Sequence, residues 1–358
     1  MNVPTRLTAL ALGASLALAL AGCSSSGQAS ATADGDRLKV VATTTQLTDF
    51  AAQVGGDDIE LTGLLQPGGS AHHFDPSPAD LLTLGSADVL IVNGAGLDEF
   101  VDGAIESSGF NGTVIDASEG IDPELAKQIT REGEGGDAHE HAHESNADEH
   151  DHDHGDHEEG DHDHDHGDLN PHLWTSPRFA EGMVSMIAGD LARVDPDHAD
   201  DYTSRADAYV AQLRDLDAWI SAQYERVPEP ERVLVTGHDS MRYYLHDYDI
   251  AFAGSLLPSF DDNAEPSAAE IDALVDAIKH SGVKAIFVES SLSPKLAQTV
   301  ANEAGVQVID ADSLYVDSLG PTGSGADTYL AATVHNTRVI LEAWGATVDP
   351  VPAELGVQ

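Results

Sequence analysis

The chain has 358 residues, enough for two domains of ordinary size, and carries 63 acidic residues against 16 lysines and arginines, a formal charge of -47. That balance excludes a nucleic-acid partner, because phosphate binding needs a basic face. A single cysteine excludes an intramolecular disulfide.

The chain begins as a secretion signal over residues 1–22. Arg6 gives a weakly positive start, and residues 7–20 form an apolar run too short and alanine-rich for a membrane span. The run ends in Leu20-Ala21-Gly22-Cys23, which resembles the lipobox of bacterial lipoproteins. The resemblance implies cleavage before Cys23, acylation of its thiol, and anchoring of the mature chain to the outer face of the cell membrane. Residues 23–36 are small and polar, the composition of a flexible tether.

From residue 37 short apolar runs alternate with helical patterns. Strands are predicted at 38–42, 59–65, 88–92 and 113–116, with helices at about 46–54, from Pro78, and at 97–106. This alternation predicts parallel βαβ units in a first α/β domain, residues 37–175. Residues 132–168 interrupt it. They hold ten of the eighteen histidines (His139, His141, His143, His150, His152, His154, His157, His162, His164 and His166) among sixteen acids. With no leucine, isoleucine, valine or aromatic ring apart from imidazole, the segment cannot bury a core, so it reads as a disordered loop. Imidazole and carboxylate are the donors that borderline divalent cations prefer, so the same composition reads as an accessory metal-binding loop.

Ser176-Pro177 marks the start of a helical segment over 176–228. Its second helix is predicted from Pro196 to Val227, with Tyr202, Ala206, Tyr209, Leu213, Leu216 and Ile220 on one face. That stripe reads as core packing on a rigid strut of roughly 45 Å. A second α/β domain follows over 229–358. Its strands are predicted at 232–235, 283–288 and 306–309, with an apolar segment at 250–257 and helices at 240–248, 267–281, 294–304 and 326–343. The fold class is α/β: two domains of βαβ units joined by a long helix.

Four segments place a metal-ligating side chain just after a strand or in a strand-adjacent loop, where open α/β sheets bind ligands. They are Gly69-Ser70-Ala71-His72-His73-Phe74-Asp75-Pro76, Asn170-Pro171-His172-Leu173-Trp174, Thr236-Gly237-His238-Asp239 and Tyr315-Val316-Asp317-Ser318. Each is weak alone. Together, with Tyr329 twelve residues after Asp317, Glu265-Pro266-Ser267 and Phe287-Val288-Glu289, they resemble the metal-binding lipoproteins that serve bacterial ABC importers of zinc or manganese. The similarity runs from about residue 38 to 344. It implies four ligands, His72, His172, His238 and Asp317, with two from each domain and the metal in the cleft between. His73 is the alternative to His72, and Asp312 competes with Asp317. Asn170 stands where the family has aspartate, at a position not expected to touch metal.

Three imidazoles and a carboxylate suit four-coordinate zinc, whereas manganese prefers more oxygen and its family members carry glutamate at the His238 position. Zn2+ is therefore the expected cargo, with manganese or iron as the alternative. The resemblance implies a monomer that passes the ion to a permease and its ATPase, and the long helix between the halves predicts only small local closure on binding. A metal-dependent adhesin shares the fold. A zinc hydrolase is disfavoured because no HExxH, carboxylate pair or serine nucleophile is present, and a fourth ligand fills the position that water would need. Because histidine must be neutral to ligate, affinity is expected to fall below about pH 6.

Overall fold

Helices start where a hydroxyl accepts one of the backbone N–H groups that the first turn leaves free. Thr44 accepts from Leu47, Ser77 from Asp80, Ser176 from Phe179, Ser267 from Glu270 and Thr328 from Ala331. At Ser77 and Ser267 the acid three residues on returns the bond, completing a capping box. The computed structural model describes residues 37–134, 169–257, 259–260, 265–289 and 294–357. The secretion signal, Cys23, the tether and the ten histidines of the acidic run lie outside the described residues.

The first half runs β1 (Leu38–Ala42), α1 (Thr45–Gly55), β2 (Ile59–Gly63), α2 (Pro78–Leu84), β3 (Val89–Val92), α3 (Val101–Ser108), β4 (Thr113–Asp116) and α4 (Pro123–Glu134). Its four strands form a parallel sheet in the order β2-β1-β3-β4, with Val40 beside both Leu61 and Val89, and Leu90 beside Val114. The chain changes direction across the sheet between β1 and β3, which opens a crevice at the strands' carboxyl ends. Helix α5 (Pro177–Val194) and the long α6 (Ala199–Tyr224) follow. The second half comprises β5 (Val233–Thr236), α7 (Arg242–Asp247), β6 (Ala251–Ser255), α8 (Ala268–Ser281), β7 (Ala285–Glu289), α9 (Pro294–Ala304), β8 (Gln307–Leu314) and α10 (Tyr329–Ala343). Among the described residues its strands pair as two parallel ribbons, β5 with β6 and β7 with β8.

The α/β class and the long helix are as the sequence predicts, with three differences. Helix α4 was not foreseen, and it carries the first half's regular structure to Glu134, past the residue 132 at which the acidic run was expected to begin. Pro196–His198 form a separate 3-10 turn, so α6 has 26 residues and spans about 39 Å. Strand β8 continues to Leu314, pairing with Glu289, through acids that interrupt the apolar pattern after Ile309.

The predicted stripe on α6 is buried, from Tyr202 through Leu213 to Tyr224. One apolar cluster runs from Val40 and Phe50 through Met183, Leu213 and Ile220 to Tyr243, Phe287 and Val334, so the two halves share a core. Arg205 on α6 donates to the Val54 and Gly55 carbonyls and to Asp58, while Tyr224 shares a hydrogen bond of 2.9 Å with Tyr244. No described helix is long and apolar enough to cross a membrane.

Helix α5 crosses the turn after β4 backbone to backbone. A methyl group on Gly182 would lie 2.2 Å from the Gly120 carbonyl oxygen, and one on Gly120 would lie 2.3 Å from that of Gly182. Neither oxygen can yield as a flexible side chain would. Gly182→Ala is therefore expected to destabilise the metal-free protein by about 2–3 kcal/mol, read from denaturant unfolding. An unchanged midpoint would show that the contact relaxes freely.

Candidate metal centre

Four loops, three of them following β2, β5 and β8 and the fourth leading into α5, bring their side chains to one point. After β2 the chain turns through Ala71–His73, where the Ser70 hydroxyl accepts from the His72 backbone. Asn93, at the end of β3, donates to the Pro171 carbonyl at 3.0 Å and so holds the turn that presents His172. His238 follows β5 directly, in a turn fixed by hydrogen bonds of Asp239 N to Ser259 O and Leu257 N to Gly237 O. Asp317 follows β8. The carbonyl before it, Val316, accepts from Gln46 Nε2 at 2.7 Å and Trp174 Nε1 at 2.9 Å, both from the first half. Tyr329, the residue whose spacing singled out Asp317, donates its hydroxyl to the Trp174 carbonyl at 2.7 Å.

His72, His172, His238 and Asp317 each contribute one donor atom to a cluster in which no two atoms are more than 4.8 Å apart. His172 Nε2 lies 3.1 Å from His72 Nε2, 3.2 Å from His238 Nε2 and 3.6 Å from Asp317 Oδ1. His238 Nε2 lies 3.4 Å from Asp317 Oδ1. A tetrahedron with bonds of about 2.0–2.1 Å, the zinc–nitrogen and zinc–oxygen range, has edges of about 3.3–3.4 Å. His172, His238 and Asp317 are buried, and His72 is partly exposed at the side of a cavity of about 280 Å³ also lined by Phe74, Glu99 and Phe260.

The other candidates fall elsewhere. His73 is exposed and outside the cluster, with its ring centroid 6.4 Å from that of His72. The side chain of Asp312 lies outside the described residues. His198 pairs with Asp195 at 2.7 Å, His280 donates to the Asp276 carbonyl and His246 lies 3.5 Å from Glu132, all away from the cluster.

Asn170 has more to do than the sequence suggested. Its Oδ1 accepts from His172 Nδ1 at 2.8 Å and from the His172 backbone at 3.1 Å. Its amide donates to the Asp239 carbonyl at 2.7 Å. This fixes the tautomer that turns the His172 Nε2 lone pair inward. The Trp174 ring packs edge-on against the imidazole at 5.3 Å. Behind His238 stands Glu289, fully buried at the end of β7, with Oε1 3.6 Å from Nδ1 and accepting the Ser240 hydroxyl at 2.9 Å. Sequence reading placed Glu289 only within a family-like run. Its signal was an acid closing the apolar strand Ala-Ile-Phe-Val.

Electrostatics divide the histidines. Burial, helped by His238, pulls His172 well below its usual value and outweighs Asp317. Burial also opposes charge on His238, but the Asp317 and Glu289 carboxylates prevail and hold it well above. Burial would raise Asp317, yet the three imidazoles, His238 foremost, hold it below the ordinary carboxylate range. The two shifts run in opposite senses, favouring charge on both Asp317 and His238.

The profile of a protein family described as the periplasmic component A of the zinc-uptake complex, ZnuA, matches residues 40–343. A manganese-binding lipoprotein, MntA, of Halalkalibacterium halodurans is 28% identical over 303 residues, spanning 85% of this chain and 87% of the relative. A zinc-binding protein, TroA, of Treponema pallidum is 26% identical over 314 residues, spanning 87% and 90%. An iron-binding protein, YfeA, of Yersinia pestis is 27% identical, spanning 86% and 87%. The solved structure of the Treponema pallidum periplasmic zinc-binding protein superposes with a TM-score of 0.71 at 23% identity, covering 87% of this chain and 100% of that one.

Proposed function

The chain belongs to the ZnuA family, and from that membership we propose that it is the extracytoplasmic metal-binding component of an ABC importer, with Zn2+ as its cargo. It binds one ion through His72, His172, His238 and Asp317 and passes it to a membrane permease driven by an ATPase. Cys23 carries the lipid that keeps it at the outer face of the membrane, where it works as a monomer. The ten histidines between residues 139 and 166 are an accessory metal-binding run.

The observation that carries the zinc reading is the donor set: three Nε2 atoms and one carboxylate oxygen, with four of their six separations at 3.1–3.6 Å and all within 4.8 Å. Nitrogen-rich tetrahedral geometry suits zinc, while manganese is at ease with six oxygen-rich contacts. Relatives named for manganese and iron keep those ions as the second reading. Four protein donors leave no corner for a reactive water, so capture rather than hydrolysis fits the centre.

The test removes residues 137–167, a cut that spares α4, from the protein lacking its lipid tether. The metal-free form is titrated with zinc and with manganese against a competing chelator. One zinc per chain, with manganese weaker by roughly two orders of magnitude or more, is expected. Manganese bound more tightly would reassign the cargo, and absence of any tight ion would place binding in the histidine-rich run.

A further inference from the structure

Glu289 is a buried carboxylate with no place in the four-donor set. It is 0% exposed, at the last residue of β7, and its Oε1 lies 3.6 Å from His238 Nδ1 on the side of the ring away from the centre. The Ser240 hydroxyl, two residues beyond His238 in the same turn, donates to that oxygen at 2.9 Å and fixes where the carboxylate points. Among the described residues His238 Nδ1 has no hydrogen-bond partner, nor has Glu289 Oε2. A carboxylate taken out of water opposite an unsatisfied ring N–H is costly unless a positive charge completes the arrangement.

We propose that Glu289 is a positioning residue for the bound ion: it accepts the His238 Nδ1 proton, directs Nε2 at the cation, and supplies the second negative charge that makes the occupied centre neutral for a divalent ion. This rests on the zinc-binding reading above. Three neutral imidazoles and Asp317 offer one negative charge to an ion carrying two, and Glu289 brings the buried total to zero. The ring needs to shift by only a few tenths of an ångström to bring 3.6 Å within hydrogen-bond range. A carboxylate behind a ligating histidine also makes the imidazole a stronger donor, which favours a borderline ion over one that prefers oxygen. The two ligating histidines with resolved partners are thus oriented differently: His172 by the neutral amide of Asn170, His238 by a full charge.

The experiment compares wild-type protein with Glu289→Gln, which keeps the shape and an acceptor oxygen but removes the charge. Chelator competition is expected to show zinc affinity reduced about 10- to 100-fold, with one ion still bound per chain. Long-range proton–nitrogen NMR of the zinc-loaded wild-type protein is expected to show His238 protonated at Nδ1 with a low-field proton, and that measurement requires no variant to fold. Zinc affinity within twofold of wild type in a folded Glu289→Gln, or a His238 bound through Nδ1, would overturn the proposal. If wild-type protein lacking the histidine-rich run bound no zinc, the underlying reading would fail instead.

Discussion

Replacing His172 with alanine is expected to lower zinc affinity roughly 100- to 1000-fold. Structural zinc sites are worth about 10–16 kcal/mol, which over four ligands is about 2.5–4 kcal/mol each. His172 has close approaches of 3.1–3.6 Å to each of the other three donors and is fully buried, so no solvent molecule takes its place without cost. His72 stands at the open side, where water can substitute, so His72→Ala should lose less. The measurement is chelator competition on protein lacking the histidine-rich run. A loss under tenfold for His172→Ala would remove His172 from the centre, and a loss for His73→Ala greater than for His72→Ala would replace His72 by its neighbour.

Zinc binding at pH 7 is expected to expel about one proton, and affinity should climb about tenfold per pH unit from acid toward neutral. The sign follows from His238. Asp317 and Glu289 keep the free protein's imidazole protonated to well above its usual range, and the cation needs its lone pair. Below that raised value every unit of acid favours the proton over the metal; above it the dependence flattens. His172, kept neutral by burial, releases nothing. The window thus lies higher than the fall below about pH 6 that three ordinary histidines would give. Calorimetry in buffers of different ionisation enthalpy counts the protons. A value near zero at pH 7 would mean that His238 is already neutral and that the two carboxylates do not act on it.

The clustering of the four residues was legible because each sits in a short loop, three of them after strands, where local sequence and local structure coincide. Residue types around His72, His172, His238 and Asp317 are dictated by the turn itself, and Tyr329 had to lie at a fixed distance to reach the Trp174 carbonyl. What escaped depends on contacts between distant segments. Glu289 reads as an acid capping a strand until β7 and the turn after β5 are placed side by side. Asn170 looks like a harmless departure from aspartate until its amide is seen holding both His172 and the Asp239 carbonyl. Helix α4 was hidden by composition: of its early residues only Ala126, Ile129 and Thr130 are buried, and a run of charge follows. The Asp122-Pro123 start was there to be read, with Asp122 accepting from Glu124 and Leu125.

The tying of the Asp317 turn to the first half through Gln46 and Trp174 has a kinetic consequence. Asp317, His172 and His238 are buried beside an apolar core common to both halves, so opening the cleft would have to disrupt that core. His72 is the one member of the cluster that is partly exposed, at the side of the cavity. For an ion held by the four proposed donors, unloading is expected to begin at His72, where an incoming ligand would take its corner before the three buried donors let go. Exchange in that order would be associative, its speed belonging to the acceptor that arrives rather than to the protein that waits.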